Sequence, residues 1–181
     1  MDERLQEMLD HYEITKTLKE YCFACDRCDE VRMADVYLED SWDDHGDFAG
    51  PGRDFAKLMT EEILGTTDSL SHMLGQSQIK VDGDQAGAET YFLAVFRNVN
   101  ADGTPTCHQL GGRFVDKLRR EDGRWRIWHR TAVRDWSVSL PVEADYVAAR
   151  GLKEGHRSMD DPAFAALGLV HAGRMAAASA A

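Results

Sequence analysis

The sequence lacks the apolar runs that direct a chain into or across a membrane. No stretch approaches the roughly 20 consecutive apolar residues that a membrane-spanning helix requires. The segment Met1-Asp2-Glu3-Arg4-Leu5-Gln6-Glu7 has acidic residues where a secretory signal peptide has basic ones, and no apolar segment follows it. We therefore expect a cytoplasmic protein that does not contact membranes.

Positive charge is also in short supply. The 181 residues include 21 Lys and Arg against 32 Asp and Glu, which gives a formal net charge of -11. The electric field of such a chain repels a phosphate backbone. A nucleic-acid partner is therefore not expected.

Signatures of several enzyme classes are missing. There is no Gly-x-Gly-x-x-Gly after a predicted strand, no phosphate-binding loop, no Gly-x-Ser-x-Gly elbow and no His-Glu-x-x-His. Nucleotide-dependent enzymes, serine hydrolases and zinc proteases are left without support.

Cysteine is rare, but its spacing raises the question of a metal. Three of the 4 cysteines occur as Cys22-x2-Cys25-x2-Cys28, which superficially resembles part of an iron-sulfur ligand run. They fall in a helical pattern, however, and Cys107 lacks the proline that follows such runs. We therefore expect reduced thiols and no metal site, with Cys22 and Cys25 filling an apolar stripe and Cys28 near the helix end.

What is present indicates one domain of the α+β class. A chain of 181 residues with 43% hydrophobic residues suffices for a single core. Asp29 is suited to cap a second helix, and Gly50-Pro51-Gly52 forms a turn before a third. The predicted helices are a long one from Leu5 to Cys25, continuous or broken near His11, a short one through Val31 and Tyr37, and a third from Phe55 to about Leu64.

After Ser69 the sequence has the pattern of long strands joined by Asp-Gly turns. Such an antiparallel meander behind three helices predicts a curved sheet wrapped around them, with a cavity for a small ligand. The predicted strands are His72 to Val81, Ala86 to Val99, Thr106 to Leu118 and Trp125 to Trp136. We assign residues 1–138 to this domain and residues 139–181 to a C-terminal extension, with helices from Val142 to Leu152 and after Asp161-Pro162 and a frayed tail from Met175.

Asp26 and His72 are the two residues that suggest acid-base chemistry. Asp26 lies four residues after Cys22, at the margin of the apolar face of the first helix, where an unpaired carboxylate is costly. His72 opens the first predicted strand. An imidazole that an aspartate holds in one tautomer can take a proton from a substrate carbon or oxygen.

Two further histidines have open interpretations. His45 lies in the acid-rich segment Asp43-Asp44-His45-Gly46-Asp47-Phe48, a loop or edge strand that shapes a pocket mouth, is solvated, or binds a metal. His108 alternates with Leu110 and Phe114, and this face points either to the pocket or to the exterior.

The arginines of the last two strands also divide into two sets. Arg113 either turns inward at a bulge that Gly111-Gly112 permits, where it could stabilise an oxyanion, or forms a salt bridge with Asp116 or Asp135. The other set alternates with the core residues Trp125 and Ile127 and is predicted to be solvated or subunit-facing: Arg124, Arg126, Arg130 and Arg134.

A series of motifs then follows a recognisable order along the chain. They are Tyr21-x4-Asp26-x2-Asp29, Tyr37-Leu38-Glu39-Asp40, Asp44-His45-Gly46-x3-Gly50, His72, Val81-Asp82-Gly83-Asp84-x-Ala86, Gly111-Gly112-Arg113-Phe114-x-Asp116, and Asp122-Gly123-Arg124-Trp125-Arg126-Ile127 with Arg130 and Asp135-Trp136. Together they resemble the SnoaL-like branch of the nuclear-transport-factor-2-like superfamily over roughly residues 5 to 138. The resemblance implies a cone-shaped α+β barrel, with a curved antiparallel sheet closed by three helices around a deep pocket.

Within that superfamily the resemblance is strongest with cofactor-free lyases such as scytalone dehydratase and hexachlorocyclohexane dehydrochlorinase. Their essential pair is an Asp near the end of the first helix and a His at the start of the following sheet, positions that Asp26 and His72 match. The resemblance implies that His72 is a general base, that Asp26 orients it, and that no cofactor is used. Arg113 or His108 is a candidate for the deeper polar pocket residue, which is not matched cleanly.

Our first hypothesis is a cofactor-independent lyase acting on a small hydrophobic, aromatic molecule. Dehydration and related eliminations fit it, including loss of water and then formaldehyde from a lignin-derived diaryl diol. The candidate pocket residues are Tyr21, Trp42, His45, Phe48, Phe92, His108 and Arg113. A non-catalytic ligand-binding or oligomerisation domain, or an isomerase or cyclase, is the alternative, because the superfamily contains all of these and fold does not settle function.

The outer face of the sheet is predicted to join subunits. The side bearing Trp128, Arg130 and Trp136 combines aromatic residues with Arg, as interfaces often do. We expect a homo-oligomer, with a trimer preferred by resemblance and a dimer second.

Overall fold

The computed structural model describes residues 2–142 and 150–170. Within these ranges a set of helices packs on one six-stranded sheet. The elements in chain order are α1 (Glu3–Asp26), α2 (Glu30–Asp35), β1 (Tyr37–Asp44), β2 (Ala49–Gly50), α3 (Gly52–Thr66), β3 (Thr67–Asp82), β4 (Gln85–Val99), β5 (Pro105–Glu121), β6 (Arg124–Pro141) and α4 (Pro162–Leu167).

Helix α1 is continuous through His11, so the break that the sequence left open does not occur. Asp2 caps its start, because the Asp2 carboxylate accepts a hydrogen bond from the backbone N–H of Arg4 at 2.8 Å. Most of the later apolar residues of the helix are buried, namely Ile14, Leu18, Tyr21, Cys22, Ala24 and Cys25. The helix therefore packs on the sheet mainly through its C-terminal half. The early apolar residues are exposed, namely Leu5, Met8, Leu9 and Tyr12.

The second and third helices begin as their turn chemistry dictates. Asp29 caps α2 as predicted, accepting from the backbone N–H of Arg32 at 3.2 Å. Helix α3 starts directly after Pro51, earlier than predicted. Gly52 is required there, since a Cβ at this position would lie 2.4 Å from Cδ1 of Tyr37. This close approach fixes the ring of Tyr37 beneath the start of α3.

The sheet has the order β2-β1-β6-β5-β4-β3 and is open at both ends. The meander from β3 to β6 is antiparallel, as the sequence predicted. Strand β1, however, runs parallel to β6, so the curved sheet of the predicted α+β fold is mixed at this one pairing. The prediction missed β1 because its polar residues, such as Asp40, Ser41 and Asp43, do not alternate regularly with apolar ones.

Bulges in β6 decide which of its side chains face the helices. Ile127 and His129 pair with consecutive residues of β5, so Trp128 is an extra residue in β6. One extra residue reverses the alternation of the strand, and Arg130 therefore turns inward. Its assignment to a solvated arginine stripe was wrong, because its side chain is fully buried. The core positions of Trp125 and Ile127, which precede the bulge, are confirmed.

Residues 150–170 fold back onto the domain. Asp161 caps α4 by accepting from the backbone N–H of Ala163 at 2.9 Å, which confirms the predicted helix start. Phe164 is fully buried, with its ring centroid 5.8 Å from that of Phe23 on α1. Arg157 donates a hydrogen bond to the backbone oxygen of Ile63 at the end of α3.

Some predictions fall beyond the described ranges. The predicted helix from Val142 to Leu152 lies largely outside the described residues, and the tail from Met175 lies wholly outside them. The division of the chain at residue 138 stays a prediction, with β6 ending at Pro141. Among the described residues, no helix is both long and apolar enough to cross a membrane.

Candidate active site

A cavity of about 240 Å³ lies between the helices and the concave face of the sheet. Most of its lining is apolar, and the aromatic members are Tyr21, Phe55, Phe92, Phe96 and Phe114. The polar side chains along it include those of His45, His72 and Asn98. A small apolar cavity with a few polar groups is the usual form of a small-molecule site.

The predicted pair Asp26 and His72 is in direct contact at this cavity. Nδ1 of His72 lies 2.6 Å from Oδ1 of Asp26, and the backbone N–H of His72 donates to Oδ2 of the same carboxylate at 2.9 Å. The side chain of His72 is 10% exposed and that of Asp26 is 12% exposed. The carboxylate at the end of α1 thus binds both the ring and the backbone of His72 on β3.

This contact determines which ring nitrogen is available for chemistry. An ionised carboxylate only accepts hydrogen bonds, so Nδ1 of His72 carries the proton that it shares with Asp26. Nε2 then has a free lone pair in the neutral ring, and it makes no hydrogen bond to any residue that the structure describes. The ring borders the cavity, so Nε2 is suited to accept a proton from a molecule bound there.

A second histidine at the cavity is also bound to an aspartate. Nδ1 of His45 hydrogen-bonds to Oδ1 of Asp43, and the hydroxyl of Tyr37 donates to Oδ2 of Asp43 at 2.5 Å. Asp43 is completely buried. The His45 ring stacks on Phe55 with centroids 4.1 Å apart and an interplanar angle of 18°. This arrangement was not foreseen, although the close spacing of Asp43 and His45 on one strand end was a visible signal.

A buried ion pair supports one wall of the cavity from behind. Arg130 donates from Nε and Nη2 to the two oxygens of Asp116 at 2.7 and 2.8 Å. Its guanidinium carbon lies 4.1 Å from the centroids of both the Tyr21 and the Phe114 rings. Burial alone would lower the pKa of Arg130, but the charge of Asp116 raises it well above its ordinary value, so the guanidinium stays protonated.

Tyr21 lies between the two histidines as a neutral phenol. Its hydroxyl is 3.5 Å from Nε2 of His45, and its ring centroid is 6.5 Å from that of His72. Burial raises the pKa of Tyr21 well above its ordinary value, although the charge of Arg130 acts in the opposite direction. The hydroxyl therefore acts as a hydrogen-bond donor or acceptor rather than as a phenolate.

The cysteines occupy the positions expected of small core residues. Cys22, Cys25 and Cys28 are all buried. Burial raises the pKa of Cys22 to about 12, so its thiol stays protonated. Among the described residues, no group of three or more His, Cys, Asp or Glu side chains is arranged to hold a metal ion.

The structure brings three of the seven predicted pocket residues to the cavity and leaves four elsewhere. Tyr21, His45 and Phe92 line it. Phe48 packs against the cavity residue Phe55, with ring centroids 5.3 Å apart. The side chain of Trp42 on β1 is 46% exposed.

His108 and Arg113 are the other two residues that do not line the cavity. The ring of His108 stacks on that of Phe96, and its Nδ1 lies 2.8 Å from the hydroxyl of Ser139. Arg113 forms ion pairs with Glu89 and Asp135, both partly exposed, so the inward turn that the sequence left open does not occur. The register shifts opposite Gly111-Gly112, but the extra residue is Asp135 in β6, so the alternation of β5 continues and Arg113 stays on the face opposite to Gly112 and Phe114.

The family model of the SnoaL-like domain matches residues 6–131. The chain belongs to this family. No curated protein matches its sequence at a significant level. Several solved structures share its fold at low sequence identity.

Three solved structures illustrate this likeness of fold. A putative scytalone dehydratase from Novosphingobium aromaticivorans is 21% identical, with a TM-score of 0.66 and coverage of 82% of this chain and 97% of the other. A hexachlorocyclohexane dehydrochlorinase, LinA type 2, is 15% identical, with a TM-score of 0.68 and coverage of 82% and 99%. A Mycobacterium tuberculosis protein of unknown function is 22% identical, with a TM-score of 0.63 and coverage of 82% and 85%.

Proposed function

We propose that this SnoaL-like protein is a cofactor-independent lyase that eliminates a small leaving group from a hydrophobic, aromatic substrate. The observation that carries the proposal is the contact of His72 with both oxygens of Asp26 at the edge of a mostly apolar cavity. The names of the dehydratase and dehydrochlorinase that share the fold support the same reaction class.

In the proposed reaction His72 is the general base. Its Nε2 takes a proton from a substrate carbon, and the electron pair of the broken C–H bond forms a double bond to the neighbouring carbon. The leaving group on that neighbouring carbon departs with the electrons of its own bond. Asp26 holds Nδ1–H and stabilises the positive charge that the imidazole acquires.

The cavity favours a substrate with a single aromatic ring. Ligand sites commonly have volumes of roughly 300–1,000 Å³, and this cavity has about 240 Å³. The stacked rings of Phe92 and Phe114, with centroids 4.3 Å apart, form an apolar surface beside His72 on which an aromatic ring can lie. A diaryl diol is a larger molecule and is the less favoured substrate.

The test is turnover by the purified protein without any added cofactor after exhaustive chelation. The panel contains the single-ring alcohol 4-hydroxy-4-phenylbutan-2-one and the diaryl diol 1,2-diphenylpropane-1,3-diol, with products identified by mass spectrometry in D2O. We expect elimination from the single-ring alcohol and its loss in His72→Ala. His129→Gln, which alters an imidazole that does not line the cavity, is the control and is expected to keep full activity.

Two results would count against this function. If chelation abolishes activity and one metal restores it, the proposed cofactor-independent mechanism is wrong. An isomer of the substrate, formed without loss of water and carrying deuterium from the solvent at a new carbon, would identify an isomerase instead.

A further inference from the structure

Two aspartate-bound histidines reach the cavity from opposite ends of the sheet. His72 lies on β3, the last strand in the order, and His45 directly follows β1 near the other edge. Both rings line the same cavity. A substrate bound between them therefore contacts two separate proton-transfer groups.

The pair of His45 and Asp43 is held in place by hydrogen bonds, as is the pair of His72 and Asp26. Asp43 is completely buried, and its two oxygens accept from Nδ1 of His45 and from the hydroxyl of Tyr37. Tyr37 is in turn held by the start of α3, where Gly52 leaves no room for a larger residue. A buried carboxylate with this fixed geometry holds the ring of His45 in one orientation, with its Nδ1 directed at Asp43 and its Nε2 on the opposite side.

The opposite nitrogen of His45 is the one that faces a ligand. Nε2 has only a long contact, 3.5 Å, with the hydroxyl of Tyr21, which also lines the cavity. The stack on Phe55 fixes the plane of the ring. The Nε2–H of a protonated His45 is therefore free to donate to an oxygen atom of the substrate.

We propose that His45 is the general acid of this site and protonates the hydroxyl leaving group of an alcohol substrate as the C–O bond breaks. The proposal rests on the proposed lyase function. A hydroxyl group leaves readily only when it is protonated, whereas a halide leaves without a proton. A second imidazole that can donate a proton therefore assists the loss of a hydroxyl group and is not needed for the loss of a halide.

The proposed reaction balances in protons and electrons. His72 takes the proton from the carbon, the C–O bond breaks, and His45 gives its Nε2 proton to the departing oxygen, which leaves as water. The products are an unsaturated compound and water. His72 then loses a proton to solvent and His45 regains one, so no oxidant or reductant is required.

A matched pair of substrates separates the acid from the base. The alcohol 4-hydroxy-4-phenylbutan-2-one and its acetate ester lose the same proton and give the same enone, but acetate needs little protonation to leave. His45→Gln should lower kcat/KM for the alcohol by about 100-fold or more and for the ester by only a few-fold. Asp43→Asn should act in the same direction, and it provides a second variant if His45→Gln does not fold. His129→Gln is the control.

The possible outcomes distinguish this inference from the proposed function. Equal losses on both substrates in folded His45→Gln, or a wild-type protein that converts the ester but not the alcohol, would overturn the role of His45. His72→Ala should abolish turnover of both substrates. If the wild-type protein converts neither substrate, the lyase function itself fails, and the assignment of His45 fails with it.

Discussion

Both carboxylate oxygens of Asp26 are hydrogen-bonded to His72, one to its ring and one to its backbone N–H. The backbone bond fixes the carboxylate relative to β3, and the side-chain bond fixes the tautomer of the ring. The sequence paired these two residues only through resemblance to a family. The structure adds that each carboxylate oxygen binds a different part of His72.

The first prediction concerns this pair. Asp26→Asn should lower kcat/KM by about 100-fold or more, because an amide cannot stabilise an imidazolium and can select the wrong tautomer. The double variant Asp26→Asn/His72→Ala should be little worse than His72→Ala, since residues that act as one unit are not additive. Steady-state kinetics and melting temperatures on the same four proteins provide the measurement. Variants that fold less stably but turn over normally would show a merely structural contact.

The second prediction concerns the buried pair of Arg130 and Asp116. Arg130→Met leaves Asp116 as an unpaired buried charge and should lower the free energy of unfolding by about 3–5 kcal/mol. Arg113→Met is the matched control, because it breaks a partly exposed ion pair and should cost about 1 kcal/mol or less. Urea denaturation of the two variants tests the difference. Similar costs would contradict the burial of Arg130.

The third prediction concerns pH and Cys22. Burial raises the pKa of this thiol from 9.0 to about 12. Between these values the unfolded chain has lost the proton and the folded chain retains it, so the free energy of unfolding falls as the pH rises. Below pH 9 both states are protonated and the thiol contributes no pH dependence. Unfolding measured from pH 7.5 to 10 should show a shallower decline for Cys22→Ala than for the wild type, and parallel curves would contradict it.

The fourth prediction concerns the outer face of the sheet, where a homo-oligomer stays a prediction. Met73, Leu93, Gly111 and Trp136 form one row across four strands, and Met73 and Trp136 are 51% and 47% exposed. Such an apolar row is costly to leave in water. Light scattering should give the mass of a trimer, or next a dimer, and Met73→Lys should dissociate it. A wild-type monomer at micromolar concentration would remove the prediction. Arg130, first assigned to this interface, is buried inside the domain instead.

The sequence by itself determined the three N-terminal helices and the four long strands that follow them, whereas the pairing of Asp26 with His72 came from the resemblance to a family. The helices and strands depend on local signals: apolar spacing along α1, the capping residue Asp29, and Asp-Gly turns between long strands. These signals act over a few residues, so they are legible without a three-dimensional structure. The burial of Ile14, Trp125 and Ile127 also followed from local periodicity.

Only the tertiary structure decided the rest of the site. The extra residue Trp128 reverses the alternation of β6 and turns Arg130 inward, and nothing local in the sequence marks that bulge. The polar strand β1 forms because it pairs in parallel with β6, a partner more than 80 residues away. That pairing buries Asp43 and brings His45 to the cavity. Strand pairing over such distances is set by the packing of the whole domain, which the local residue pattern does not encode.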